Sequence, residues 1–328
     1  MTTTPSVLDA ATVPPVAAST PLAARAIGLR KAFGSTVAVD GIDLDVPAGS
    51  VLGMLGPNGS GKTTLIRMLL GLTRADSGTA ELLGHAIPDD AARALPHVGA
   101  LVEGPGFHPF LSGRENLLRV AATEPLLGSR EIPGAVDAAL ERVGLTPAAG
   151  RRFRGYSLGM KQRLGLAGAL LLPRRLVVLD EPTNGLDPAG TRDVRRIIAE
   201  LHAAGSTVIV SSHLLDEVEA TCTHVAVLQS GSLVAAGELA ALLESGTGGL
   251  DVVTPDVDLA LGVLREAGVA AYRAPGDEPG VVVGEDGPPT AETIALLVRA
   301  GVAVQEARRR RARLEELFAR LTERSLSE

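Results

Sequence analysis

The chain has 328 residues, room for about two domains, and 45% of them are hydrophobic. Its formal net charge of −7 argues against a protein that coats nucleic acid, and no apolar run is long enough to span a bilayer. The single cysteine, Cys222, cannot form an intrachain disulfide, which fits a reducing compartment such as the cytosol.

Composition divides the chain into three parts. Residues 1–22 are rich in Thr, Pro, Ala and Ser, which is typical of a disordered tail. We expect a nucleotide-binding domain over residues 23–245, because every motif for phosphate chemistry lies before residue 246. A small α+β accessory domain is expected over residues 246–328.

A glycine-rich segment predicts a phosphate-binding loop. Residues 56–63 fit the pattern G-x-x-x-x-G-K-[ST], with an apolar strand predicted at 51–55 and apolar residues at helical spacing from Leu65. Such a loop turns backbone N–H groups toward an anion at a helix N-terminus. The residues predicted to hold the phosphates are Gly56, Pro57, Asn58, Gly59, Ser60, Gly61, Lys62, Thr63 and Thr64.

Two side chains of this loop have distinct predicted roles. Lys62 supplies a point charge for the β- and γ-phosphates, and the Thr63 hydroxyl is a ligand for Mg²⁺. Lysine is rare in this Arg-biased chain, so its presence here suggests that a compact ammonium is required. The sequence therefore predicts a site for a nucleoside triphosphate with Mg²⁺.

Residues 157–163 predict a second helix start that can bind an anion. Ser157 is the expected N-cap of a helix that runs to Leu172, and Gly159 allows a ligand to approach the backbone closely. One nucleotide needs only one phosphate-binding loop, and residues 56–63 already supply it. Either this is an ordinary capped helix, or it binds the γ-phosphate held by another subunit.

Residues 176–181 predict an apolar strand that ends in two carboxylates. In phosphate-loop enzymes the last Asp of such a strand holds Mg²⁺, the role that we expect for Asp180. Glu181 follows at once, points elsewhere, and is the candidate general base for the attacking water. The alternative is a pair of acidic residues that merely close the strand into a turn.

Two further polar residues follow in the chain. Asp187 is predicted to cap the next helix, with Pro188 at its first position, and capping alone would explain both. Residues 207–210 predict another strand, after which His213 is expected to contact a γ-phosphate. An isolated histidine is more often structural, so His213 gains its role only from its place in this series.

Over about residues 24–240, this ordered set of motifs resembles the ATP-binding subunit of an ABC transporter. The resemblance implies that ATP is the nucleotide and that residues 157–163 are the family's signature motif. It also implies that Phe33 stacks on adenine. Asp187 then lies in the loop that crosses a dimer interface, and His213 is the switch histidine.

The resemblance implies an α/β fold, the phosphate-loop ABC cassette. A mostly parallel core sheet is expected, with an antiparallel β-subdomain near Phe33 and a helical subdomain at about 105–170 that presents Ser157. Two identical chains would enclose two ATP molecules, each between the loop of one and the signature of the other.

The implied function is ATP hydrolysis that drives export of a drug, antibiotic or lipid-like compound. The export would use a separate membrane permease, with this chain bound at the cytoplasmic face of the membrane and no nucleic acid as partner. Residues 106–116 resemble the drug- and antibiotic-export branch of the family. Within them, Ser112 and Glu115 form a predicted capping box.

Two residues depart from the family's pattern. Leu158 replaces the first glycine of the signature, but Ser157 and Gly159 remain, so we expect contact with the partner's nucleotide to survive. Glu103 replaces the glutamine expected between the core and the helical subdomain. A carboxylate can still bind Mg²⁺, yet it adds negative charge near the γ-phosphate.

The C-terminal part predicts short strands and helices: strands at 250–253, 280–283 and 302–304, and helices at 257–267 and 290–299. The basic run at 308–313 is expected to be a solvated face, with contact to anionic lipid as the alternative. An amphipathic helix is then predicted from the spacing of Leu314, Leu317, Phe318 and Leu321, with core packing favoured over a dimer contact.

Two other functional classes stay open. A soluble ABC-type ATPase that acts on DNA or ribosomes is disfavoured, because the interval between loop and signature is short and the chain carries one cassette. A non-catalytic, nucleotide-sensing subunit is disfavoured by Glu181 and His213 and weakly favoured by Glu103.

Overall fold

The computed structural model describes residues 21–104, 106–245, 249–275, 278–284, 287–309, 314–315 and 318. Residues 1–20 of the tail predicted at 1–22, residues 310–313 of the basic run, and Leu317 and Leu321 lie outside the described residues. Leu22, placed in the tail by that prediction, instead begins the first strand. The chain divides into two compact units, one through Glu238 and the other from Leu239. No helix in the described part of the chain is long and apolar enough to cross a membrane.

The first unit contains both strands and α-helices. Its strands are β1 (Leu22–Phe33), β2 (Thr36–Pro47), β3 (Val51–Leu55), β4 (Ser77–Leu82), β5 (His85–Ile87), β6 (Val98–Leu101), β7 (Leu176–Asp180), β8 (Thr207–Ser212), β9 (His224–Gln229) and β10 (Ser232–Glu238). Its α-helices are α1 (Lys62–Leu69), α2 (Ala91–Ala94), α3 (Gly113–Ala121), α4 (Ile132–Arg142), α5 (Leu158–Ala169), α6 (Pro188–Ala203) and α7 (Leu215–Thr221).

The core sheet has the strand order β10-β9-β3-β8-β7-β6, and all its neighbouring pairs except β9 with β10 are parallel. Every residue of β3, β7 and β8 is buried, as expected for parallel strands covered on both faces. The predicted, mostly parallel sheet is confirmed. Because β3, β7 and β8 run in one direction, their carboxyl ends meet at one edge of the sheet.

A second sheet, with the order β2-β1-β4-β5, is antiparallel throughout. Its buried side chains, such as Leu29 and Val39, join one hydrophobic core with Leu52 and Met54 of the parallel sheet. The predicted antiparallel β-subdomain is confirmed, and Phe33 lies at the end of β1.

Helices α3, α4 and α5 pack together as the predicted helical subdomain. The capping box of Ser112 and Glu115 is present at the start of α3. Ser157 caps α5 as predicted, but α5 ends at Ala169 rather than Leu172. Pro173 has no N–H to donate to the backbone oxygen of Ala169, and its ring would clash with that carbonyl, so it disfavours a helix beyond Ala169.

A buried arginine ties the helical subdomain to the parallel sheet. The side chain of Arg174 is 2% exposed and donates to Glu124 Oε1, just beyond α3, at 2.6 Å. It also donates to the backbone oxygen of Pro96, next to β6, at 2.7 Å. Leaving either charge unpaired in this position would be costly, so the pair fixes how α3 lies on the sheet.

The second unit contains α8 (Leu239–Ser245), β11 (Leu250–Val253), α9 (Val257–Glu266), β12 (Ala271–Arg273), β13 (Gly280–Val283), α10 (Thr290–Arg299) and β14 (Glu306–Arg309). Its sheet has the order β12-β13-β11-β14 and is antiparallel. One face packs on α9 and α10 through a hydrophobic core that includes Val252, Val281, Leu264 and Leu297. The strands predicted at 250–253 and 280–283 and both predicted helices are confirmed.

The strand predicted at 302–304 is wrong. The N–H of Val302 donates to Leu297 O, and Gly301 has a φ of 84°, so these residues close the C-terminus of α10. The side chain of Val302 is buried in the core of the unit, which explains the apolar signal. Glu306–Arg309 form the edge strand β14 instead, and the strand at the other edge, β12, was not predicted.

Candidate functional site

The phosphate-binding loop joins β3 to α1, as predicted. Gly59 and Gly61 have φ values of 82° and 103°, in the left-handed region that favours glycine. A Cβ on Gly61 would lie 2.4 Å from the backbone oxygen of Ala38, so no side chain fits there. The first turn of α1 carries no acidic residue, which leaves its N-terminus open to an anion.

Lys62 is buried at the centre of this loop. Its Nζ donates to the backbone oxygens of Gly56 at 2.6 Å and Pro57 at 3.1 Å. Burial lowers the pKa of the Lys62 ammonium, while the carboxylates of Glu181 and Asp180 oppose that shift. A triphosphate can replace these neutral carbonyl partners with charged oxygens, which form stronger hydrogen bonds.

The loop also holds an unpaired hydroxyl. Ser60 Oγ is buried and has no hydrogen-bond partner among the described residues. Buried polar atoms are normally satisfied, so an orphaned hydroxyl within a glycine-rich loop fits a ligand oxygen.

Asp180 ends β7 and is buried beside β8. Ser211 of β8 lies opposite it in the parallel ladder, and Ser211 Oγ donates to Asp180 Oδ1 at 2.5 Å. Ser211 was not among the predicted site residues. The available signal was its position at the end of β8, but using it requires knowing that β7 and β8 are neighbours.

Glu181 brings Lys62 and His213 together. Glu181 has a φ of 48°, which turns its side chain out of the alternation of the strand. Glu181 Oε2 lies 2.8 Å from His213 Nδ1, and Oε1 lies 3.9 Å from Lys62 Nζ. The Lys62 ammonium, the Glu181 carboxylate and the His213 imidazole therefore lie close together at the end of the phosphate-binding loop.

The donors near the loop fit Mg²⁺ bound together with a triphosphate. Thr63, in the first turn of α1, offers a hydroxyl, and Asp180 offers a carboxylate. The described residues include no cluster of three or more His, Cys, Asp or Glu that could hold a metal ion. Mg²⁺ commonly uses one or two protein oxygens, several waters and substrate phosphates, which matches this sparse donor set.

Glu103 lies on an exposed turn after β6, with a φ of 62°. Its side chain is 62% exposed, and its carboxylate forms an ion pair with Arg67 of α1. Arg67 was not among the predicted site residues, although its spacing from Lys62 places it on the same helix. The metal-binding role of Glu103 stays a prediction, since the partner described for it is a cation.

Three other predicted residues lie at helix or strand ends. Phe33 is 52% exposed, and Lys31 Nζ is 5.5 Å from its ring centroid. Ser157 Oγ accepts from the N–H of Met160 at 3.2 Å, and Asp187 Oδ1 accepts from the N–H of Gly190 at 2.8 Å. The hydrogen bonds described for Ser157 and Asp187 both lie within the first turns of α5 and α6.

Gly159 and the unusual Leu158 begin α5. The side chain of Leu158 is 64% exposed and lies against Gly185, where a Cβ would come within 2.3 Å of Leu158 Cδ2. The Cδ2 of Leu186 lies 3.1 Å from where a Cβ on Gly159 would be. The first turn of α5 therefore packs on the segment between Glu181 and Asp187 of the same chain.

Comparison with known proteins identifies the family. Residues 39–184 match the family model described as ABC transporter. The daunorubicin resistance ATP-binding protein of Streptomyces coeruleorubidus is 36% identical over 309 residues, which cover 90% of this chain and 94% of that protein. The bacitracin transport ATP-binding protein of Bacillus licheniformis is 44% identical over 207 residues, which cover 63% of this chain and 66% of that protein.

A solved structure of an ATP-binding subunit of an ABC transporter gives a TM-score of 0.62 at 25% identity, over 68% of this chain and 92% of that one. The resemblance drawn from the motifs and the predicted fold class are thereby confirmed. The chain belongs to the ABC transporter family of ATP-binding proteins, whose cassettes bind and hydrolyse ATP.

Proposed function

We propose that this chain is the ATP-hydrolysing subunit of an exporter and that it works with a separate membrane permease. The observation that carries the proposal is the convergence on the phosphate loop. Glu181 Oε2 lies 2.8 Å from His213 Nδ1, and Glu181 Oε1 lies 3.9 Å from Lys62 Nζ. These groups suit phosphoryl transfer to water, in which charge must be stabilised and one proton removed.

Each group has a task in the proposed reaction. Lys62 exchanges its bonds to the carbonyls of Gly56 and Pro57 for oxygens of the β- and γ-phosphates. Glu181 accepts the proton of the attacking water, and His213 holds the Glu181 carboxylate in place. When bound through Thr63 and Asp180, Mg²⁺ would neutralise phosphate charge.

The proposed complete site needs a second copy of the chain. Ser157 and Gly159 begin a capped helix whose N-terminus favours an anion, and Asp187 caps the start of α6. We infer that these residues meet the ATP bound by the partner's phosphate loop. Phe33, exposed at the end of β1, would stack on adenine in its own chain.

Export is proposed from the proteins that this chain resembles. Relatives are named for bacitracin transport and daunorubicin resistance, and one from Cupriavidus metallidurans, 40% identical over 225 residues, is named for Nod factor export. A drug, antibiotic or lipid-like compound is therefore the proposed cargo. The chain would act at the cytoplasmic face of the membrane, on a permease.

Replacing the proposed general base tests the ATPase assignment. Glu181→Gln keeps the shape of the side chain but removes its basicity, so turnover should fall by roughly 10²–10⁴-fold while ATP still binds. Glu219→Gln, an exposed carboxylate on α7, is the matched control and should hydrolyse ATP as the wild type does. Wild-type turnover by Glu181→Gln would refute the role.

Export is tested separately in cells. A strain that lacks this chain should be more sensitive to anthracycline or polypeptide antibiotics, and the wild-type chain should restore resistance. The Glu181→Gln chain should not restore it, because transport would require hydrolysis. Unchanged sensitivity to both antibiotic classes after deletion would contradict export of these compounds.

A further inference from the structure

The backbone of Glu181 is strained. Its φ of 48° lies in the left-handed region, which residues other than glycine rarely adopt. Such a conformation persists only when the surrounding structure enforces it. The side chain of Glu181 reaches His213. The contacts that hold the strained backbone of Glu181 therefore also orient its carboxylate.

Two side chains hold the peptide groups on either side of this residue. The N–H of Glu181 donates to Ser211 Oγ at 2.8 Å, and Ser211 is fully buried in β8. The backbone oxygen of Glu181 accepts from Gln162 Nε2 at 3.2 Å. Only the amide NH₂ of Gln162 can donate to a carbonyl, so its orientation is fixed by the contact.

Gln162 belongs to the helix that starts at Ser157. The first turn of this helix also packs on the segment after Glu181, through Leu158 against Gly185 and Leu186 against Gly159. Gly185 has a φ of 73°, so a side chain there would be strained as well as crowded. The start of α5 therefore fits closely to the strained segment that begins at Glu181.

We propose that Gln162 is a positioning residue: its side-chain amide, together with Ser211, holds the backbone of Glu181 so that the carboxylate faces the phosphate loop. The inference rests on the proposed function, in which Glu181 is the general base. It goes further, because Ser157 would contact the partner's ATP while Gln162, on the same helix, holds the carboxylate of its own chain's site.

The test removes the hydrogen-bond donor of Gln162 and keeps the volume of its side chain. Gln162→Met has similar length but no N–H, so the Glu181 peptide loses one anchor and relaxes. The expected result is a drop in kcat of about tenfold, as for one lost side-chain hydrogen bond, with unchanged ATP affinity. Gln305→Met, an exposed glutamine in the second unit, should behave as the wild type.

A double-mutant cycle shows whether the effect passes through Glu181. If it does, adding Gln162→Met to Glu181→Gln should not slow single-turnover hydrolysis further. An additive loss would mean an independent structural role and would overturn the proposal. If Gln162→Met does not fold, Gln162→Glu, which also lacks the donor, replaces it in both measurements, and wild-type kcat in the folded variant overturns the proposal too. Wild-type turnover by Glu181→Gln alone would instead count against the proposed function.

Discussion

Lys62 is a buried cation whose described hydrogen-bond partners are two backbone oxygens, of Gly56 and Pro57. Its contribution should appear in ligand binding, since the charge stabilises phosphates more than it stabilises the empty loop. Titration with labelled ATP should show at least a roughly 100-fold weaker affinity for Lys62→Ala, with little change in the unfolding midpoint. Arg196→Ala, an exposed cation on α6, serves as the control. Unaltered ATP affinity in Lys62→Ala would remove Lys62 from the site.

Glu103 adds a negative charge that its ion pair with Arg67 partly neutralises. Glu103→Gln should therefore raise the affinity for metal-free ATP by only a few-fold, roughly two to five, and change the affinity for Mg-ATP less. Arg67→Gln, which leaves the carboxylate without its cation, should have the opposite effect on metal-free ATP. The measurement is the ATP affinity of each variant and of the wild type, with and without Mg²⁺. If the ratio of the two affinities is the same in Glu103→Gln and the wild type, Glu103 does not sense the metal.

Site residues differ in how well the sequence reveals them. Lys62 and Asp180 follow from local patterns, since a glycine-rich loop and an apolar strand that ends in Asp can be read within a few residues. Ser211 and Gln162 cannot be found this way, because their roles depend on which strand lies beside β7 and which helix packs on Glu181. Arg67 is an intermediate case. Its helical spacing from Lys62 places it on α1, but this spacing does not reveal its contact with Glu103.

Helix α9 offers a matched pair of glycines for testing backbone effects. Gly262 lies inside the helix with open space around its Cα, whereas Gly268, just beyond the helix, has a φ of 72° and also has open space. Gly262→Ala should stabilise α9 by about 0.5–1 kcal/mol, because alanine loses less backbone entropy on folding. Gly268→Ala should destabilise it by about 1 kcal/mol, because alanine disfavours that conformation.

Amide hydrogen exchange of α9 in the full chain measures both glycine variants. Slower exchange in Gly262→Ala and faster exchange in Gly268→Ala are expected. A change of the same sign in both variants would show that backbone conformation does not decide the effect.

Strands and helices with strong apolar periodicity were predictable, and edge strands were not. Both β11 and β13 supply buried apolar residues to the core of the second unit, so their sequence carries the signal. In contrast, β14 contains Glu306, Arg308 and Arg309, which is common for an edge strand but gives no apolar pattern. A strand was wrongly predicted at 302–304 because the apolar side chain of Val302 packs in the core although it lies in the turn after α10.

In the first unit, the residues of the proposed site come from two parts of the fold. Parallel strands bring the phosphate loop, Asp180 and His213 to one edge of the core sheet, whereas Ser157 begins a helix of the helical subdomain. The motifs of the sequence could predict this arrangement within the chain, since each lies at an element end. They could not establish which copy supplies Ser157, because that depends on contact between two molecules.

We propose that ATP binds between two copies of the chain, against the phosphate loop of one and Ser157 of the other. In the presence of Mg-ATP, Glu181→Gln should form a dimer that holds two ATP molecules, because hydrolysis no longer opens it. Adding Ser157→Arg should leave ATP affinity intact but keep the chain monomeric, since the large cation blocks only the partner's site. Ser129→Arg, in the exposed loop between α3 and α4, is the control and should leave the Glu181→Gln dimer intact.

Size-exclusion chromatography with light scattering, combined with counting of bound ATP, is the most direct measurement. We expect a dimer with two ATP molecules for Glu181→Gln and a monomer with one ATP molecule for Ser157→Arg/Glu181→Gln. An ATP-bound dimer in both proteins would contradict the proposal, and so would an ATP-bound monomer in both.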